Sequence, residues 1–209
     1  MKFSIQRKQL KGISRFAATK DIRFYLMGIC VTQNQRGTVI EATNGHMMGR
    51  LLVNSEPMPE NRVIIQSSDV DKLKGTKKTA DDWQHFTVDG LKIEVITPDS
   101  TMTFQALEAT FPDTDRVTPT VLKDEDVKPS HFNPEYVISF MQASEDFTGK
   151  KQFPRIIQRG EDSAIVLLPL VDDFVGVLMP IRDSVLGGTL PDWIYQPTVA
   201  KQAEQAETV

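Results

Sequence analysis

The chain has 209 residues, a formal net charge of -4 and a single cysteine. An apolar share of 40% and a charged share of 25% are ordinary for a folded protein, which excludes wholesale disorder and allows one large domain or two small ones around a real core. The acidic balance excludes a protein that is basic over its whole surface. It leaves open a basic face, because nucleic-acid binding depends on where the charges lie.

No apolar run approaches the ~20 residues of a membrane-spanning helix, and Met1-Lys2-Phe3 starts no secretory signal, so the expected compartment is the cytoplasm and no membrane partner is expected. Cys30 has no second cysteine to pair with and lies in an apolar run, so it reads as a small buried hydrophobe.

Lys2 to Ile5 alternates polar and apolar, a short strand. Arg7 to Ala18 changes to helical spacing, with Leu10, Ile13, Phe16 and Ala17 on one side and Arg7, Lys8, Lys11 and Arg15 on the other. Phe24 to Thr32, Thr38 to Ala42 and Met47 to Val53 read as strands, divided by turn signals at Asn34–Gly37 and Asn44-Gly45. Arg62 to Ile65 is a fourth strand, and Ser67-Ser68 opens a second helix reaching about Lys74. Gln84 to Val88, Leu91 to Thr97 and Thr101 to Leu107 are strands, the first two joined by a hairpin turn at Asp89-Gly90. Phe111 to Pro119 is an extended connector.

A second unit starts near Val121. Asn133-Pro134-Glu135 supplies a cap, a first-turn proline and an early acid, the marks of a helix start. Strands are expected at Arg155–Gln158, Ala164–Leu170 and Phe174–Ile181, followed by a tail whose Leu186–Tyr195 stretch holds Trp193 and Tyr195. The order strand, helix, three strands thus occurs twice in residues 1–119 and once more, incompletely, in residues 120–183, with the tail at 184–209.

Catalytic chemistry finds no footing. His46, His85 and His131 have no partners at metal-ligand or triad spacing, and no phosphate-binding glycine loop or nucleophile elbow occurs. Asp81-Asp82, Asp124-Glu125-Asp126 and Asp172-Asp173 fall in turns, where adjacent acids keep loops solvated. No enzyme activity, metal or cofactor is expected. The positive feature is the cationic helix face, extended by Lys72, Lys74, Lys77 and Lys78 and by Lys150 and Lys151. Cations sorted this way suit sequence-independent contact with phosphates.

Several motifs carry a likeness. Asp21-Ile22-Arg23-Phe24-Tyr25-Leu26-Met27-Gly28, Ala42-Thr43-Asn44-Gly45-His46 and Phe111-Pro112-Asp113 with Arg116-Val117 and Pro119 resemble the middle domain of the bacterial replicative sliding clamp, the β subunit of DNA polymerase III. Phe132–Val137 and Val177-Leu178-Met179-Pro180-Ile181-Arg182 resemble the second half of that family's third domain.

The resemblance implies an α+β DNA-clamp fold with one full clamp domain of two strand-helix-strands halves and a partial second one, in a shortened, divergent member of phage type. It also implies a processivity role in DNA replication, with helices facing duplex DNA. A pocket between units would take short peptides of DNA polymerase or other clamp-binding proteins. The positions that match the family's pocket are Leu26, Thr43, Gly45, His46, Met48, Pro119, Val177, Leu178 and Met179.

Two departures stand out. Met47-Met48 replaces the family's Arg-Leu after the histidine, and the last unit is only half present. An unmatched half leaves an edge strand to cover, which pairing into a homo-oligomer would do. The rival expectation keeps the fold without the DNA: a regulator or decoy that binds replication proteins and encircles nothing.

Overall fold

The computed structural model describes residues 1–119, 129–182 and 185–188, with all their side chains except that of Lys77. The expected start of the second unit near Val121 and most of the tail, including Trp193 and Tyr195, lie outside the described residues.

The first half comprises β1 (Lys2–Gln6), α1 (Arg7–Ser14), β2 (Gly28–Asn34), β3 (Gly37–Thr43) and β4 (Met47–Asn54). The second comprises β5 (Asn61–Gln66), α2 (Ser67–Leu73), β6 (Trp83–Asp89), β7 (Lys92–Ile96) and β8 (Thr101–Gln105). After the connector come α3 (Pro134–Thr148), β9 (Arg155–Ile157), β10 (Ala164–Leu167) and β11 (Phe174–Leu178).

Each half gives its first strand to the other half's sheet. β1 pairs with β6 in the order β1-β6-β7-β8, and β5 pairs with β2 in the order β5-β2-β3-β4-β11-β10-β9. The seven-stranded sheet therefore runs across the boundary into the last unit, through an antiparallel β4–β11 pair that sets Gly49 opposite Gly176.

The helices cover this sheet from one side. The apolar face of α1 is fully buried at Leu10 and Ile13, and Phe16 follows it into the core. A methyl group at Gly49 would stand 2.2 Å from the Phe16 ring, and one at Gly176 would stand 2.3 Å from the Phe140 ring. Both positions are glycine because an aromatic ring lies flat on the backbone there. Phe16 and Phe140 meet at 4.8 Å between centroids, and Phe147 of α3 rests on Gly12 of α1. α1 and α3 thus pack as neighbours, each over its own part of one sheet.

The opposite side of the sheet is covered by the connector. Phe111 packs with Cys30 and Ile64, and Leu107 donates its N–H to the Ile64 carbonyl at 2.9 Å. Thr114 donates to the buried Glu41 carboxylate at 2.6 Å, and Arg50 bridges Glu41 at 3.1 Å and Asp115 at 2.8 Å. Cys30 lies where expected: burial, with Glu41 nearby, pushes its thiol up to about 12, which removes its nucleophilic form at neutral pH.

Four expected boundaries shift by three residues or more, each for a local reason. The first helix ends at Ser14, and a turn carries Phe16 inward. Phe24–Met27 is a 3-10 turn rather than the start of a strand, held by Asp21, which accepts from the Arg23 N–H at 2.8 Å. β10 stops at Leu167 because Pro169 lacks a ladder donor and Leu170 turns with φ of 64°. β11 stops at Leu178, ahead of Pro180.

Candidate functional site

Where β4 meets β11, a cleft of about 210 Å³ opens between the 3-10 turn, the β3–β4 hairpin and the connector. Its walls include Leu26, Thr43, Gly45, His46, Met48, Val177 and Met179, seven of the nine positions singled out from the sequence.

The hairpin is built by side chains. Asn44 Oδ1 accepts from the N–H groups of His46 and Met47, both at 2.9 Å, while Thr43 Oγ1 accepts from Gly45 and donates to the Met47 carbonyl. This winding needs φ of 90° at Gly45, a value that L side chains resist. The β11 extension locks on by donating the Met179 N–H to the His46 carbonyl at 2.9 Å. The His46 ring stacks on Tyr136 of α3 at 5.9 Å, so the histidine is a rim residue held by an aromatic face.

Two expected positions lie elsewhere. Leu178 is fully buried in the core, since side chains alternate along a strand and Val177 and Met179 take the cleft side. Pro119 is outside the cleft wall, whose connector side is formed by Pro112, Asp113, Thr114 and Val117. Sequence reasoning also missed Arg23 and Tyr25. Arg23 approaches the Gly45 backbone and pairs with Asp21 at 2.8 Å, and its hydrogen bonds hold the Asp21 carboxyl at about 2. The cleft therefore has a cation on its rim although Met47-Met48 supplies none. Asp21-Ile22-Arg23 could have revealed it, because an aspartate two residues before an arginine readily folds into this turn.

The helix face is the main correction. Arg7, Lys8, Lys11 and Arg15 do share one side of the α1 segment, but every one meets a carboxylate from another element. Arg7 is buried and pairs with Asp99 at 2.5 Å, Lys8 pairs with Asp81 at 2.6 Å, and Lys11 and Arg15 share Asp146 of α3, each at 2.7 Å. Lys72 pairs with Asp69 within α2, and Lys74, just past its end, pairs with Asp71. The expected unaccompanied stripe is absent because the helix pattern cannot show acids that arrive from far along the chain. Among the described residues, Lys78, Lys150 and Lys151 are exposed cations with no carboxylate at ion-pair distance. The Lys77 side chain is outside the described residues.

Exchanged strands, helices on one side of a sheet that passes from unit to unit, and a connector strapped across the other side together invite comparison with solved structures. A crystal structure of DNA polymerase III subunit β from Pseudomonas aeruginosa superposes with a TM-score of 0.69 at 21% identity, over 87% of this chain and 66% of that one.

This is the sliding-clamp fold.

A P. aeruginosa sliding clamp bound to griselimycin matches with a TM-score of 0.69 at 20% identity, over 87% of this chain and 65% of that one. The β subunit from Borrelia burgdorferi, in complex with a natural product, gives 0.70 at 12% identity over 90% and 63%. At these identities the kinship is one of fold, and the chain spans just under two thirds of each clamp subunit's length. No protein-family model and no curated protein matches the sequence significantly. The α+β clamp fold expected from the Asp21–Gly28, Ala42–His46 and Phe111–Pro119 motifs is the one found, with one full clamp domain and part of a second.

Proposed function

We propose that the protein is a non-enzymatic, sliding-clamp-like accessory of DNA replication that holds duplex DNA without sequence preference. In this reading it takes short peptides of DNA polymerase or other clamp-binding proteins in the β4–β11 cleft. The observation that carries the reading is the cleft, an apolar slot with a polar rim at the junction of two clamp units. Its methionines and valine suit the hydrophobic end of an extended peptide, while Arg23 and Thr43 can meet polar groups of that peptide. The exposed lysines after α3 and α2, Lys150, Lys151 and Lys78, are the first candidates for phosphate contact. The paired cations of α1 and α2 add to it only by exchanging their carboxylates.

The neutralised face of α1 favours a second reading, a clamp-like regulator that binds replication proteins without DNA. Anisotropy of a labelled duplex of about 30 bp, titrated at about 50 to 200 mM salt, separates the two. The first reading expects salt-sensitive binding, with a log–log slope reduced by about 2 in Lys150→Glu/Lys151→Glu. Absence of binding at the lowest salt overturns it and leaves the regulator.

A further inference from the structure

Just past α3 the charges are sorted as they are nowhere on the helix faces. Residues 147–160 hold four cations, Lys150, Lys151, Arg155 and Arg159, and no acid, in a chain whose net charge is -4. In their midst stands Phe153, 81% exposed. Lys150, Lys151 and Arg155 are exposed as well, and none of the three has a carboxylate at ion-pair distance among the described residues. On α1 and α2, by contrast, Lys8, Lys11, Arg15, Lys72 and Lys74 all meet carboxylates.

The backbone presents this segment to solvent. Gly149 ends α3 with φ of 76° and donates its N–H to the Glu145 carbonyl at 2.8 Å, and Thr148 Oγ1 donates to the Ser144 carbonyl at 2.8 Å. The last carbonyls of the helix are thus partly satisfied, which weakens the negative end that an anion would otherwise meet. Pro154 biases Phe153 toward extended backbone, so the ring is held out at small conformational cost. Lys150 and Arg155 lie at most about 17 Å apart along this stretch.

The segment is at the end of the helix layer away from the cleft. α1 and α3 are antiparallel, since Phe16 packs on Phe140 and Gly12 meets Phe147. Tyr136, near the start of α3, stacks on His46 at the cleft rim. Lys150 follows the end of that helix, about 20 Å further on. The start of α1 is at the same end, and the Lys8 N–H donates to the Ala80 carbonyl at 2.8 Å, which brings the exposed Lys78 to that end too. The acids there, Asp81 and Asp82, are already paired with Lys8 and Arg7.

We propose that Lys150, Lys151, Phe153 and Arg155 bind single-stranded nucleic acid, with an unpaired base stacked on the Phe153 ring and the cations on the flanking phosphates. Within a duplex each base face is covered by its neighbours, so an exposed ring gains nothing there, whereas an unpaired base offers a face. A membrane surface suits the segment less well. Phe153 is the one large apolar side chain exposed in residues 147–160, and attachment to lipid grows with the apolar area buried. The inference deepens the proposed function: it rests on the nucleic-acid reading and adds a preference for unpaired strand at these lysines.

The test uses the full chain with labelled oligo-dT and oligo-rU of about 15 nucleotides, beside the duplex, at about 50 mM salt. Anisotropy should show binding of at least one oligonucleotide, and the tighter of the two tells whether the strand is DNA or RNA. Phe153→Ala should weaken that binding at least about fivefold, the smaller end of a lost base stack, and leave duplex affinity and the urea midpoint unchanged. Lys150→Gln/Lys151→Gln should reduce the log–log salt slope for the oligonucleotide by about 1.4. In Phe153→Trp, the emission in excess of wild type should be quenched on binding, which reports the stack itself. Oligonucleotide binding without duplex binding removes the duplex reading and leaves this inference standing. Absence of oligonucleotide binding, equal binding by wild type and Phe153→Ala, or an equal loss on the duplex overturns it. Capture by anionic phospholipid vesicles that depends on Phe153, with no oligonucleotide bound, overturns it in favour of a membrane surface.

Discussion

The two sheets contain the same kind of strands in different surroundings. β2 and β3 of the seven-stranded sheet are buried along nearly their whole length, whereas β6 and β7 of the four-stranded sheet hide residues on one side and expose most of those between. The contrast follows the covering: helices lie on one side of the seven-stranded sheet and the connector on the other, while β6 and β7 keep one exposed side. The lesson is that the cleft and the Glu41–Arg50 pair occur where a sheet is enclosed from both sides, because there a polar group is cut off from water and needs a fixed partner.

The contrast breaks most sharply at Arg50, whose side chain is 13% exposed beside a Glu41 side chain that is 2% exposed. Arg50→Ala strands a buried carboxylate and should cost about 3–5 kcal/mol in urea unfolding, whereas Glu41→Gln/Arg50→Met, which removes both charges, should recover most of the loss. A smaller effect is expected at the ring-covered backbone. Gly49→Ala drives a methyl into Phe16 and should cost about 1–3 kcal/mol, while Thr87→Val on the open sheet should stay within about 0.5 kcal/mol.

The mildest change comes with pH. Arg50 and then Arg36 hydrogen bonds hold the Asp115 carboxyl below its ordinary 3.8, while burial raises Glu41 above its ordinary 4.5. The Asp115 contribution is complete above its unfolded pKa and is lost as pH falls through the depressed folded value. The Glu41 contribution has the opposite sign: it is present below the unfolded pKa and is lost as pH rises through the raised folded value. Asp115→Asn should therefore flatten the acid limb of a plot of urea midpoint against pH, and Glu41→Gln the limb just above 4.5.

Local chemistry made much of this legible in advance. Asp89-Gly90 turns β6 into β7, and Asn133 caps α3 by accepting from the Glu135 N–H at 2.9 Å. Asn44-Gly45-His46 marks the hairpin that forms one wall of the cleft. What stayed hidden was carried by separation along the chain. Asp146 lies 131 residues from the Arg15 it neutralises, and Asp99 lies 92 from Arg7. Periodicity ranks faces within one helix and is blind to a carboxylate delivered by another element. Glu41 also went unnoticed, because a single acid in a strand looks solvent-facing until a connector is laid over it. Leu178 was misplaced by one step of the strand pleat, the smallest error that sends a side chain to the opposite face.

The exchange of first strands has a consequence for how the molecule is made. Lys2 must wait for Thr87, and Gly28 for Gln66, before either finds its ladder neighbour. A nascent chain emerging from the ribosome therefore holds β1 with its hydrogen-bonding capacity unspent until most of residues 1–89 have been synthesised. Nothing short of that length can mature on its own, and such late closure slows folding. Truncations placed between β5 and β6 should accordingly yield insoluble product rather than a smaller working unit.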